Sequence, residues 1–323
     1  MKYSLLGPTG VEVSQICLGT ATFGVAPAAQ DAERVVRAAL DVGINFFDTA
    51  NVYGTLPVFD QPGASADRDP AEQILGRALS GRRDDVVIAT KSGERRLGPG
   101  AGLSRRHIIQ QVENSLRRLQ TDYIDLYYAH FPDPNTPLEQ TLQTYDDLIR
   151  QGKLRYVALS NYPGWQLTHA LWIADDRRLY APVCAQVRYS LIDRSAEREL
   201  TPAARQFGLS TVAYSPLHGG LLAGTRVLER DIHGWQRFSG SGFSERELEL
   251  GRMVERLSQD WGLPPHEISL AWLLSRPTVA SAIVGAETVQ EITANALAAD
   301  ALLEPAQLDA LTKLQDEDNL DLS

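Results

Sequence analysis

Four ionisable side chains that could act together on a carbonyl group follow three apolar runs of the sequence. Asp48 follows the run 44–47, with Tyr53 five residues later, while Lys91 closes V-V-I-A-T-K and His130 closes L-Y-Y-A-H. A phenol has an ordinary pKa of ~10, and a neighbouring ammonium lowers that pKa. We therefore predict that Tyr53 is a general acid/base whose pKa Lys91 lowers. Asp48 would hold the ammonium, and His130 would orient the substrate oxygen or share the proton.

Each of these side chains also has an ordinary structural explanation. Asp48 could cap the turn after its strand, Tyr53 could pack under a loop, and His130 could be a buried histidine with satisfied hydrogen bonds. A lysine at the end of an apolar strand is harder to explain in this way, because burying an unpaired ammonium costs several kcal/mol. Lysine is also rare in this chain, which has only Lys2, Lys91, Lys153 and Lys313.

The overall composition excludes several classes of protein. The 323 residues carry a formal net charge of −10 with a pI near 5.1, which argues against nucleic acid as the main partner, because phosphate binding needs clustered basic charge. We expect no membrane span, because no apolar run reaches the required length, and no signal peptide, and hence a cytoplasmic protein. Cys17 and Cys184 lie in apolar, strand-like runs and are predicted to be buried free thiols.

The elements that would position these residues alternate along the chain. Apolar runs predict strands at 15–18, 44–47, 86–90, 123–128, 156–159, 184–187, 210–213 and 282–284. Helical periodicity predicts helices near 31–41, 70–80, 104–119, 138–150, 164–173, 196–207 and 288–298. This alternation favours an α/β fold, a (β/α)8 TIM barrel, as a single domain over residues 1–323. A doubly wound sheet is the alternative, but no G-x-G-x-x-G follows an early strand.

Some segments lie outside this repeating unit. Residues 3–6 and 11–13 flank G-P-T-G and predict an N-terminal β-hairpin, and extra helices at 244–261 and 265–275 precede the last strand. Within the repeat, Asp31 and Ser104 are predicted N-caps, Pro70 a first helical residue, and Gly81 and Gly152 helix stops.

Several motifs resemble those of the aldo-keto reductases, particularly the long-chain bacterial-type members. They are D-T-A-x-x-Y-G at 48–54, A-T-K at 89–91, D-L-Y-Y-x-H at 125–130, L-S-N at 159–161, Q-V-R-Y-S-L at 186–191 and Y-S-P-L-x-G-G-L-L at 214–222. The resemblance runs from the first barrel strand to about Ala299. It implies a barrel that binds an extended NAD(P)(H) without a Rossmann fold. The catalytic tetrad would be Asp48, Tyr53, Lys91 and His130, and no metal ligand is implied.

The resemblance also implies a set of cofactor contacts. Ser160, Asn161 and Gln186 would hold the nicotinamide carboxamide, and Tyr214 would stack on the ring. Ser215, Leu217 and Gly219 would lie along the pyrophosphate. Residues Gly285 to Asn295, including Glu287 and Glu291, would surround the adenosine end. Gly19, Thr20 and Asp48 complete the expected set.

The chain departs from the family pattern at three places. The loop 55–69 is much longer than the turn usual in the family, so the substrate class cannot simply be transferred. His218 stands where a small residue is more common, which we interpret as tuning rather than catalysis. Glu287 stands where the family often has Arg, Lys or Ser, and no Lys or Arg lies between Pro277 and Leu311. Because carboxylates repel a 2′-phosphate, we predict NAD(H), or use of both cofactors, ahead of strict NADP(H).

The predicted function is reversible reduction of an aldehyde, ketone or sugar carbonyl by hydride transfer. Three alternatives remain open. The first is a reductase of a nucleotide-activated keto-deoxysugar. The second is a non-catalytic binding subunit, which the potassium-channel β subunits resemble. The third is a lyase that uses Lys91 as a Schiff-base nucleophile. Neither the substrate nor the oligomeric state follows from the sequence.

Overall fold

The computed structural model describes residues 1–55, 68–94, 102–229, 236 and 240–314. Within them, eight parallel strands close into a barrel, in which each strand pairs with its neighbour in the sequence and the last strand pairs with the first. Helices separate successive strands. The structure therefore confirms the predicted (β/α)8 barrel and excludes the doubly wound sheet.

The strands lie close to their predicted positions. The N-terminal hairpin is formed by β1 (Tyr3–Leu5) and β2 (Glu12–Ser14). The barrel strands are β3 (Ile16–Gly19), β4 (Phe46–Asp48), β5 (Val87–Ser92), β6 (Ile124–Ala129), β7 (Leu154–Ser160), β8 (Cys184–Arg188), β9 (Ser210–Tyr214) and β10 (Val279–Val284).

The helices of the described residues surround this barrel. They are α1 (Ala29–Asp41), α2 (Ala71–Ala78), α3 (Arg105–Leu119), α4 (Leu138–Arg150), α5 (Gly164–Arg177), α6 (Leu200–Gln206), α7 (Glu245–Trp261), α8 (Pro265–Leu274), α9 (Val289–Ala298) and α10 (Pro305–Lys313). The extra helices predicted before the last strand are α7 and α8.

Buried side chains divide between two layers because strand side chains alternate in direction. One layer lies between the strands and the helices and includes Tyr127 and Trp272. The other fills the barrel interior and includes Phe46 and Tyr128. Leu6, which follows β1, is fully buried in this interior layer. The hairpin thus closes the end of the barrel opposite to the ends at which Asp48 and Lys91 lie.

The structure corrects several local predictions. The N-cap of α1 is Ala28 and not Asp31, and Pro70 is itself the N-cap of α2 rather than its first residue. Ser104 does cap α3, accepting a hydrogen bond from the N–H of His107. The helix predicted at 196–207 is divided into a short 3₁₀ turn and α6. α10 was not predicted, because it follows α9 and lies outside the repeating strand–helix unit.

Both cysteines behave as predicted. Cys17 and Cys184 are buried and free, and burial raises the pKa of the Cys184 thiol to about 12. A low thiol reactivity follows, because the thiolate is the reactive form. No helix of the residues described here is long and apolar enough to cross a membrane.

Candidate active site

The ammonium of Lys91 lies at the centre of the predicted tetrad. It is fully buried and donates to three acceptors, namely Asp48 Oδ1, the carbonyl of Thr49 at 2.8 Å and the hydroxyl of Tyr53 at 3.4 Å. An ammonium has three donor hydrogens, so its full capacity is used. The second carboxylate oxygen of Asp48 accepts from Nε2 of Gln186 at 2.7 Å. Lys91 can therefore stay charged inside the barrel.

The pairing of β4 with β5 explains why these groups meet. Asp48 stands opposite Ala89, and Lys91 lies two residues further along β5. The chain then follows the edge of β5, since Thr49 N–H donates to Ala89 O at 2.9 Å and Asn51 N–H donates to Lys91 O at 3.1 Å. The polypeptide after β4 is thus held along the C-terminal end of β5, which brings Tyr53 to the ammonium of Lys91.

Tyr53 itself is fixed from both sides. Its carbonyl accepts from Ala71 N–H at 3.0 Å, at the start of α2. Gly54 has φ +79°, and a Cβ there would come within 2.9 Å of Phe23 O, so this tight turn requires glycine. Arg68 Nε also donates to Gly54 O. Residues 56–67 of the predicted long loop lie outside the described residues, but the two ends of that loop hold Tyr53 in place.

Burial sets the direction of the pKa shifts in this group. It raises the pKa of Tyr53 more than the charge of Lys91 lowers it, so the net shift is upwards. Lys91 does lower the pKa of Tyr53 as predicted, but burial outweighs it, so the pKa lies above its ordinary value and not below it. The pKa of Asp48 is also raised by burial, against the opposing effects of Lys91 and Gln186. Burial lowers the pKa of Lys91, but Asp48 and Tyr53 outweigh that effect and raise it.

His130 lies beside the phenol at the end of β6. Its ring meets the ring of Tyr53 edge to face, with centroids 5.9 Å apart. Its carbonyl accepts from Nδ2 of Asn161 at 2.9 Å. Tyr214 in turn donates from its hydroxyl to Oδ1 of Asn161 at 2.8 Å. The structure thus links predicted catalytic and cofactor-binding residues across three strand ends.

Unusual backbone conformations cluster among the predicted cofactor residues. Of the described non-glycine residues, five have positive φ, and three of these are Asn161 at 63°, Ser215 at 54° and His218 at 49°. The other two, Gln120 and Arg178, are C-caps of helices. Strain of this kind concentrates at functional sites. Two glycines with positive φ, at 219 and 220, directly follow His218.

The first barrel strand contributes close backbone contact. A Cβ at Gly19 would lie 2.6 Å from Cγ2 of Ile283, so a side chain at this position would force Ile283 on β10 to shift. Thr20 is fully buried and donates through both its N–H, at 2.9 Å, and its hydroxyl, at 3.1 Å, to the carbonyl of Asp48. Thr20 therefore supports Asp48, whereas the resemblance implied only a cofactor contact for it.

The predicted adenosine-end residues lie around the N-terminus of α9. Thr288 is its N-cap, and its hydroxyl accepts from Glu291 N–H at 3.1 Å. Glu291 turns back, so that its Oε2 accepts from the N–H of Glu287 at 2.7 Å. Gly285 is exposed, and Asn295 is buried on the first turns of the helix. The side chains of Glu287 and Glu291 therefore both lie at the N-terminal end of α9.

Several supporting groups could not be identified from the sequence. The carbonyl of Thr49 is a backbone acceptor, which residue type does not reveal. The link from Glu247 to His218, at 2.6 Å between Oε1 and Nε2, joins residues 29 apart. The pattern S-E-R-E at 244–247 does predict a capped helix start, and the structure confirms this capping box. The pattern cannot reveal the second partner of Glu247.

Comparison with known proteins agrees with this geometry. The model of the Aldo/keto reductase family matches residues 15–316. The chain belongs to this family. It is 40% identical over 310 residues to the Bacillus subtilis (strain 168) protein named uncharacterized oxidoreductase YrpG, covering 90% of this chain and 89% of that protein. It is 33% identical over 316 residues to aldo-keto reductase YhdN of the same organism, covering 91% and 89%.

A relative with a different name belongs to the same family. The chain is 32% identical over 327 residues to a probable voltage-gated potassium channel subunit beta of Oryza sativa subsp. japonica, covering 96% of this chain and 95% of that protein. The family and the oxidoreductase relatives show that this aldo/keto reductase is an oxidoreductase enzyme that acts on small molecules. The family generally uses NAD(P)(H).

Proposed function

We propose that this aldo/keto reductase reduces an aldehyde, ketone or sugar carbonyl with NAD(P)H, reversibly, and that Tyr53 is its general acid/base. The observation that carries the proposal is the buried ammonium of Lys91, which donates both to the Asp48 carboxylate and to the Tyr53 hydroxyl. A cation bonded to a phenol stabilises the phenolate that forms when the proton leaves. We also propose that the whole chain forms one barrel domain.

The residues around the mouth fit an extended dinucleotide. The donor set of Ser160, Asn161 and Gln186 suits a carboxamide, which both donates and accepts. In the turn from Ser215 to Gly220, four residues have positive φ, a conformation in which backbone N–H groups can form an anion-binding concavity that would suit a phosphate. When bound, the dinucleotide supplies the hydride for the carbonyl carbon.

The protein's own residues would supply the proton. Tyr53 donates its hydroxyl proton to the carbonyl oxygen, and Lys91 stabilises the charge that remains on the phenol oxygen. Asp48, held by Gln186, keeps Lys91 charged in the buried interior. His130, edge to face with the phenol, orients the substrate oxygen. In the reverse direction, Tyr53 accepts the proton of the alcohol.

For the cofactor, we propose NAD(H), or use of both cofactors, ahead of strict NADP(H). Glu291 and Glu287 lie together at the start of α9, where one carboxylate oxygen is held by a backbone N–H. At ~4 Å and an effective dielectric of ~20, a repulsion between two unit charges is worth ~4 kcal/mol before solvent screening. Both side chains are partly exposed, so screening leaves only part of that value.

A labelling experiment tests the proposal. Purified protein is incubated with a panel of aldehydes, ketones and sugars and with NADH or NADPH that carries deuterium on the nicotinamide ring. Mass spectrometry should find one deuterium on the former carbonyl carbon of the product. Oxidation of cofactor without deuterium in the product would contradict hydride transfer. Borohydride trapping of a covalent adduct at Lys91 would favour a Schiff-base lyase instead.

A second candidate is a binding subunit without turnover, since the chain matches a potassium channel β-subunit relative along 96% of its length. Dinucleotide binding without product from any carbonyl would favour it. The Asp48, Lys91 and Tyr53 contacts support the enzyme instead. A reductase of a nucleotide-activated keto-deoxysugar remains a narrower version of the first proposal, and such sugars belong in the substrate panel.

A further inference from the structure

His218 is a buried histidine at the centre of the predicted phosphate-binding turn. Only 3% of its surface is exposed, and its φ of 49° is one that residues with a side chain rarely adopt. The turn around it is closed by two backbone hydrogen bonds, from His218 N–H to Ser215 O and from Gly220 N–H to Leu217 O, both at 2.9 Å. The proposed mechanism gives this imidazole no role.

The hydrogen bonds of Ser190 define which ring nitrogen of His218 carries the proton. Ser190 Oγ accepts from the N–H of Ile192 at 3.2 Å and from the N–H of Asp193 at 2.9 Å. A hydroxyl oxygen has two acceptor positions, so both are filled. Its own hydrogen then points to Nδ1 of His218, 3.4 Å away. Nδ1 is therefore an acceptor, and the imidazole is neutral with its hydrogen on Nε2.

That hydrogen is donated to Glu247, at the start of α7. The distance from His218 Nε2 to Glu247 Oε1 is 2.6 Å. The other carboxylate oxygen accepts from the N–H of Ser244 at 2.6 Å and from its hydroxyl at 2.8 Å, which forms the capping box of α7. The ring of Phe243 also stacks on His218, with centroids 6.3 Å apart. One carboxylate thus caps a helix and holds the imidazole.

The two ends of the imidazole therefore connect separate parts of the fold. Nδ1 reaches the segment after β8, and Nε2 reaches the start of α7, while the backbone of His218 forms part of the turn. Burial lowers the pKa of His218, although Glu247 raises it, and Glu247 itself has a pKa lowered to about 2. Both observations agree with a neutral imidazole that donates to a carboxylate.

We propose that His218 is a positioning residue for the dinucleotide. By bridging Ser190 and Glu247, His218 holds the turn 215–220 in the conformation that includes its positive-φ residues. The inference rests on the proposed function. It also gives α7, a helix outside the eightfold repeat, a role in cofactor affinity. A phosphate needs several N–H groups held in one arrangement, and loss of either bond of His218 would let the turn relax before binding.

The test measures cofactor affinity directly, by quenching of protein fluorescence with NADH and NADPH and without substrate. His218→Ala should raise the dissociation constant by about tenfold, the effect of one lost hydrogen bond in this range. In steady state, the KM for the cofactor should rise more than kcat falls. Glu247→Ala should have a similar effect, because it removes the same link.

Two controls separate positioning from helix stability. Ser244→Ala weakens the cap of α7 but keeps the His218–Glu247 bond, and Gln307→Ala removes the equivalent capping box of α10. Both should lower the melting temperature and leave cofactor affinity within about twofold. The dissociation constant of the double variant His218→Ala/Glu247→Ala should be no higher than that of the single variant with the larger loss. The effects of two residues that act through one bond are not additive.

Either of two results would overturn the inference. One is wild-type affinity in both His218→Ala and Glu247→Ala, and the other is a double variant whose losses multiply. If His218→Ala does not fold, Glu247→Ala and Ser190→Ala carry the same test. A wild-type protein that binds neither dinucleotide would instead overturn the proposed function, and this inference with it.

Discussion

Two ion pairs, each with a buried carboxylate, lie on opposite sides of β5, and they differ in the groups that the cation contacts. Thr90 and Lys91 are consecutive residues of this strand, so their side chains point to opposite faces. Lys91 points into the barrel, to Asp48. Thr90 points to the helices, where its hydroxyl donates at 2.6 Å to Glu72, which also accepts from Nε of Arg118 at 2.6 Å.

Burial and pairing are therefore insufficient to identify a site in this protein. Glu72 is as buried as Asp48, and each carboxylate has both oxygens bonded. The outer pair ties α2 and α3 to the strand. The inner pair differs because its cation also donates to a phenol at the open end of the barrel. A buried pair stabilises charge, but it supports chemistry only where that charge adjoins a group that can exchange a proton.

The largest expected effect is the loss of the phenol at the inner pair. Tyr53→Phe should lower kcat by about 10²–10⁴-fold, the usual contribution of a general acid, with cofactor affinity within a few-fold. Tyr127→Phe is the matched control, because Tyr127 is fully buried on the outer face of β6. Its rate should match the wild type. A Tyr53→Phe enzyme with more than a tenth of the wild-type kcat would contradict the assignment.

Removal of the inner cation should have the next largest effect. Lys91→Met removes the group that opposes the burial-induced rise in the pKa of Tyr53, so that pKa should rise further. One pKa unit corresponds to ~1.4 kcal/mol, or tenfold, and we expect kcat to fall at least tenfold. Asp48 would also lose its partner inside the barrel, which costs about 3–5 kcal/mol of stability.

The pH dependence of this variant follows from the same pKa shifts. Reduction needs a protonated Tyr53, so the rate should fall as pH rises through the pKa of Tyr53. Because that pKa is raised above its ordinary value, the wild-type rate should stay level through neutral pH and fall only at alkaline pH. In Lys91→Met the fall should move to still higher pH. An unchanged rate and profile would place the proton donor elsewhere.

A smaller effect is expected for carboxylates at the rim of the barrel, where water screens their charge. Glu291→Gln should raise kcat/KM for NADPH relative to NADH by up to about tenfold, because it removes a repulsion that is partly screened. The measurement is kcat/KM with both cofactors for wild type and variant. A wild-type preference for NADPH above a hundredfold would show that Glu287 and Glu291 do not face the ribose.

The smallest effect on the rate is expected at the outer pair. Arg118→Met leaves Glu72 without its cation, and since Arg118 is partly exposed, we expect the free energy of unfolding to fall by about 1–3 kcal/mol. The kcat of the folded protein should change less than twofold. Thermal melts and kinetics at a temperature well below the transition check both parts. A tenfold loss of kcat at unchanged stability would remove the distinction between the two pairs.

The sequence alone determined the barrel and placed the four proposed catalytic residues near one end of it. Apolar runs that end in Asp48, Lys91 and His130 are a local signal, and parallel strands necessarily bring their ends to one face of a barrel. Local sequence patterns also predicted the hairpin and the helices α7 and α8. The N-cap of α1 was not, because several residues near a helix start can serve as its cap.

Tertiary structure decided the rest, because it depends on distances between residues far apart in the chain. The sign of the pKa shift of Tyr53 is set by the balance between burial and the charge of Lys91. The depth of burial cannot be predicted from residue types alone. The carbonyl of Thr49 becomes the third acceptor of Lys91 only because the chain after β4 runs along β5. His218 meets Glu247 only because α7 packs its first turn against the turn that follows β9.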